Sequence, residues 1–125
     1  MITPRQTLAF FIFLPLFACG ATVPLQKDML FTTARQLLMT EKWRPINVHA
    51  HDDYVLMGVE HELAKMNMKE FDSCSIDFSN CLMRYKRSNE CLSVFTIGEK
   101  VKDMKVVGWT DECPAPPSPK PSPEQ

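Results

Sequence analysis

Residues 74–113 read CSIDFSNCLMRYKRSNECLSVFTIGEKVKDMKVVGWTDEC. Four of the five cysteines lie in this stretch, together with the densest strand-forming run, Val94, Phe95, Thr96 and Ile97. β-branched and aromatic side chains favour the pleated backbone, so residues 91–97 form one strand. Residues 98–103 supply a polar turn and residues 104–109, centred on Val106 and Val107, return as the next. Cys91 opens the first strand and Cys113 lies just past the second, so both stand at the open end of the hairpin. That proximity suits a bridge, whose Cα atoms lie within about 7 Å. Cys74 and Cys81 are left to close a short loop of their own if Cys19 is removed.

Removal of Cys19 is what the N-terminus indicates. Arg5 precedes an apolar run, LAFFIFLPLFA at 8–18, followed by the small residues Cys19, Gly20 and Ala21, the pattern of an export signal cleaved after Ala21. The run falls short of the ~20 residues of a spanning helix, and Pro15 interrupts it. The alternative is a lipobox over residues 16–19 with Cys19 lipidated, the one route to a membrane. At the other end, PAPPSPKPSPEQ at 114–125 has no apolar anchor and reads as an extended tail. Residues 22–113 then make one domain of about 90 residues with a modest core. In an oxidising compartment disulfides support such a domain by about 2–4 kcal/mol each. The net charge of −1 gives no electrostatic case for nucleic acid or anionic lipid. Arg84, Lys86 and Arg87 read as a solvated loop or strand edge.

Upstream, Leu30, Ala34, Leu37 and Leu38 fall on one stripe of a helix over residues 28–42, with Asp28 favouring its N-terminal dipole. Pro45 ends the helix, Trp43 folds onto the core, and Ile46 and Val48 begin an alternating strand. Residues 54–68 fit two patterns. A helix buries Leu56, Val59, Leu63 and Met66; a strand buries Val55, Met57, Val59 and Leu63. Gly58 leans toward the strand, since an interior glycine costs a helix up to ~1 kcal/mol. Residues 70–90 read as a connection, with a short strand at 82–85.

The cysteine order, the run CLSVF at 91–95 and a glycine before the first cysteine resemble the secreted cystatins, inhibitors of papain-like cysteine proteases. The resemblance implies an α+β fold: one helix packed on a curved four- or five-stranded antiparallel sheet with two consecutive disulfides. It makes residues 46–53 and 59–71 paired strands, with Tyr54, Val55, Leu56, Met57 and Gly58 as the tip that enters a protease cleft. Gly58 matches the family's Q-x-V-x-G loop, while Tyr54 and Leu56 replace its glutamine and valine. Residues 22–31 lack the family's N-terminal glycine, and Gly98, Glu99, Lys100 and Val101 stand where it carries a Pro-Trp pair. The resemblance thus implies a weakened or lost inhibitor. An extracellular binding module that does not inhibit is the alternative.

His49, His51 and His61 offer a third chemistry. Two histidines separated by one residue share a side of an extended segment and can grip zinc or copper. Met57, Met66 and Met68 read as packing. Ser73, Ser75 and Ser79 lack nucleophile-elbow glycines, and there is no phosphate loop. The expectation is a protein that is not an enzyme and carries no cofactor.

Overall fold

The computed structural model describes residues 23–117, together with Ile12 and Leu14. Most of the expected signal segment, Cys19 and most of the proline-rich tail lie outside the described residues. Among those residues, no helix is long and apolar enough to cross a membrane.

Helix α1 spans Phe31–Thr40. The chain enters it from the sheet: Leu30 bridges Lys105, and the Phe31 N–H donates to Met104 O at 2.8 Å. That bond satisfies one of the donors a helix start leaves open. The buried stripe is Phe31, Ala34 and Leu38, while Leu30 and Leu37 are exposed. The expected stripe is therefore rotated, because pairing with β5 fixes how the helix enters. Asp28 lies before the helix in a left-handed turn, with φ 67°. After Glu41 the chain closes a Schellman motif, Lys42 N–H to Met39 O and Trp43 N–H to Leu38 O. Trp43 is carried into the core as expected.

The sheet is wholly antiparallel. β1 (Arg44–Pro45) and β2 (Phe71–Cys74) lie along one side of β3 (Asn80–Arg87), followed by β4 (Glu90–Ile97) and β5 (Lys105–Thr110). β4 and β5 match the sequence reading. β3 is twice the expected strand: Cys81, Met83 and Tyr85 face the core while Arg84 and Lys86 face out. Both expected disulfides are present, Cys74–Cys81 and Cys91–Cys113, with Cα atoms 4.1 and 5.0 Å apart. Sheet and helix close over Phe31, Ala34, Leu38, Met83, Leu92, Val94, Met104 and Val106. Tyr85 crosses this core and donates to the buried Glu70, which also pairs with Arg35. Burial, then the Glu70 charge and hydrogen bond, push the Tyr85 hydroxyl well above its usual pKa.

The paired strands expected over residues 46–53 and 59–71 do not form. Residues 46–59 make turns, and Glu60–Lys65 is a second helix, α2. Glu60 and Glu62 sit in its first turn and Lys65 in its last, all favourable to the dipole. Asn67, with φ 57°, ends it in another Schellman motif. Asparagine tolerates that left-handed position, and the stop outweighs the extended alternative.

Candidate functional site

The segment expected as a hairpin tip is instead a loop hung on one buried carboxylate. Glu60 is fully buried and accepts three hydrogen bonds: Tyr54 Oη at 2.8 Å, Met57 N–H at 3.0 Å and Cys74 N–H at 2.9 Å. It thereby ties residues 54–57 to the first disulfide. Tyr54 is held at the surface of the loop, its ring stacked on His49 with centroids 3.6 Å apart. Burial, followed by the hydrogen bond and charge of Glu60, raises its pKa to about 12. The loop therefore presents Val55 and Met57 outward, and Gly58 closes it with φ 55°.

Two further loops reach the same end. Residues 75–79 connect β2 to β3, pinned by Ser75 N–H to Asn80 O and by Phe78 N–H to Ser75 Oγ. Residues 98–100 lead into a short 3-10 turn, η1 (Val101–Asp103). Gly98 N–H donates to Ser79 O, and Val101 N–H donates to Glu62 Oε2. Gly58, His61, Ile76, Ser79 and Glu99 line a shared depression of about 350 Å³. Val55 is 75% exposed, Ile76 60% and Phe78 72%. This end thus displays bulky apolar side chains on loops cross-tied by backbone and carboxylate bonds.

The three histidines are not brought together as ligands. His49 Nδ1 lies 2.8 Å from Asp52 Oδ2 and its Nε2 lies 2.6 Å from Asp72 O. Both ring nitrogens are therefore engaged, leaving no lone pair for a metal. His51 and His61 are exposed, and the described residues contain no group of three or more His, Cys, Asp or Glu placed to hold an ion. A strand would have put His49 and His51 on one side; the turn over residues 48–51 separates their roles.

His49 serves as a fastener. Both of its partners are acceptors, which suits an imidazolium donating from each nitrogen. Burial works to lower its pKa, but the Asp52 hydrogen bond, the Asp72 carbonyl and the charges of both aspartates raise it overall. The same bond, against some desolvation, lowers the Asp52 carboxyl. Asp52 Oδ1 also accepts from the Tyr54 N–H at 3.1 Å.

Two contributors escaped the sequence reading. Nothing in the local sequence marks Glu60 as a buried acceptor, and in the strand pattern it falls on the face opposite Leu63. Asp72 acts through its carbonyl, which no residue type discloses. Set against known proteins, the chain matches no family model, no curated protein and no solved structure.

Proposed function

We propose that this domain is an exported binding protein that docks through its three-loop end, residues 54–58, 75–79 and 98–100, and that the first partner class to test is the papain-like cysteine proteases. The observation carrying this reading is the display of Val55, Ile76 and Phe78 on loops already fixed by Glu60, the Cys74–Cys81 bridge and the Gly98–Ser79 bond. Apolar groups on ordered loops lose little conformational freedom when a partner covers them. Export is supported by the two disulfides. In the protease reading Val55 and Met57 are the inserting residues, since the Tyr54 ring and hydroxyl are already engaged by His49 and Glu60. Ile76 and Phe78 on the disulfide loop stand in for the Pro-Trp tip this chain lacks.

The test is inhibition of papain and of a cathepsin by the mature domain with both bridges confirmed. Reversible inhibition weakened at least about tenfold, 1.4 kcal/mol, by Val55→Asp and by Phe78→Asp supports the reading. Absence of inhibition at about 100 µM, already a weak complex, removes the protease. It leaves the same loop end to an extracellular protein of another class.

A further inference from the structure

The basic cluster written in the sequence dissolves in the fold, and another forms elsewhere. Arg84 is neutralised by Asp72 at 2.7 Å and also donates to Ser93 Oγ. Arg87 pairs with Glu90 and lies over the Trp43 ring, 4.4 Å from its centroid. Lys86 remains, and the register sets it directly opposite Arg44 across the β1–β3 pair. Like charges facing each other across strands are destabilising, and Arg44 and Lys86 gain no acidic partner among the described residues. Lys42 joins them. These three cations, with Met39, Trp43 and Pro45, line one depression of about 510 Å³ that has no acid in its wall.

Lys42 occupies a position where its side chain is a liability to the backbone. It is the left-handed residue of the motif that ends α1, with φ 70°. The equivalent position after α2 is filled by Asn67, one of the residues that accept that conformation. A cation there offsets the helix dipole, which accounts for Lys42 alone. It does not account for Arg44 facing Lys86. Trp43, between Lys42 and Arg44, keeps its indole Nε1–H buried without an acceptor in the protein, a condition that is costly in a folded chain. Three unpaired cations around one hollow make a site short of negative charge.

We infer that the depression between the C-terminal end of α1 and the β1–β3 pair binds a tetrahedral oxyanion, a sulfate or phosphate group, through Lys42, Arg44 and Lys86. Such an anion relieves the Arg44–Lys86 repulsion. Lysine and arginine supply the donors an oxyanion takes up. The site lies toward the β3–β4 turn, at the other end of β3 from the docking loops, and is independent of them. The group can come free in solution or as a sulfate ester on a polysaccharide, and the two sources separate by experiment.

The experiment is an NMR titration of the full mature chain at low ionic strength with inorganic sulfate, inorganic phosphate and a sulfated hexasaccharide. The backbone amides of residues 42–45 and 86 and the Trp43 indole N–H are followed. Shifts confined to those signals are expected, and the Arg44→Gln/Lys86→Gln variant should lose at least about tenfold in affinity. The equally charged control Lys102→Gln/Lys105→Gln should lose less than about twofold. Tighter binding of the hexasaccharide than of either ion identifies the chain-borne ester; equal binding identifies the group alone. The inference is overturned if none of the three shifts these signals at about 20 mM, well beyond a millimolar affinity. Equal loss from the control variant overturns it too. The Arg44→Gln/Lys86→Gln variant folds more stably by the same reasoning, so its loss of binding cannot be unfolding.

Discussion

Replacing Glu60 by glutamine should unfasten one side of the three-loop end while leaving the rest of the fold in place. The side chain keeps its size, but its acceptor capacity falls from two oxygens to one. The amide oxygen will take the place of Oε1, where it still serves Tyr54 Oη and Cys74 N–H. The amide nitrogen then faces the Met57 N–H, donor against donor, where Oε2 had accepted at 3.0 Å. A hydrogen bond to a charged group contributes about 1.5–3 kcal/mol, and the two retained bonds lose their charge assistance. Removing the carboxylate also removes its desolvation cost, so the net loss is about 2 kcal/mol for Glu60→Gln. For Glu60→Ala, which orphans all three donors, it is about 3 kcal/mol. With a urea m-value of about 1 kcal/mol/M, the midpoint should fall by about 2 M and 3 M. Amide exchange should accelerate at Met57 in both variants and at Cys74 mainly in the alanine variant. A glutamine variant within about 0.5 kcal/mol of the parent, with Met57 protection unchanged, would refute the hub.

The His49 fastener makes stability depend on pH with a defined sign. The folded His49 pKa lies above its ordinary value of 6.5, so its contribution is complete below that pH and fades as pH rises through the folded value. Asp52, lowered from 3.8, contributes above that value and loses its effect as acid reaches its folded pKa. Stability from this pair should therefore be fully present between those bounds. Urea midpoints at about pH 5.5 and pH 8.5 should differ, and His49→Gln should flatten the difference; an unaltered pH slope in that variant would dismiss the fastener. Gly98→Ala places a Cβ 2.7 Å from the Met104 Cα, at φ 148°, and should cost about 3 kcal/mol or more. Gly58→Ala meets open space at φ 55° and should cost only about 1 kcal/mol; thermal melts that reverse this order would contradict the close packing under Gly98. Of the disulfides, Cys91–Cys113 closes 22 residues and Cys74–Cys81 closes 7. Paired serine variants should differ by about 1 kcal/mol in favour of the longer loop's bridge, and equal losses in urea titration would reject that loop-length account.

What the chain disclosed in advance follows from how far each signal extends along it. β4 and β5 were legible because Val94, Phe95, Thr96 and Ile97 concentrate extended preference in one run, and the hairpin then set Cys91 beside Cys113. Helix α1 was legible as a helix, but its facing was set by the Leu30–Lys105 bridge, seventy-five residues away. β3 was under-read since Arg84, Lys86 and Arg87 mask the alternation of Cys81, Met83 and Tyr85. α2 has six residues, too few for a periodic pattern to separate helix from strand, and its stop at Asn67 depends on backbone geometry. The Glu60 hub joins Tyr54, Met57 and Cys74, whose spacing in sequence follows no local period. The cations Arg44 and Lys86 lie on either side of residues 45–85, and only the β1–β3 register unites them.

The outer side of β2 carries one more consequence. The strand pairs with β3 alone, so its other margin exposes peptide groups to any extended chain that drifts past. Two of those groups are already occupied, the Asp72 carbonyl by His49 and the Cys74 N–H by Glu60. The imidazole and the carboxylate act as a counterfeit neighbouring strand, filling the positions a second molecule would need to continue the sheet. Open margins of this kind seed edge-to-edge growth between copies. The residues that hold the 54–58 loop in shape therefore also guard against self-association, and Glu60→Ala together with His49→Gln, which frees both groups, should leave a protein that is both looser and more prone to polymerise.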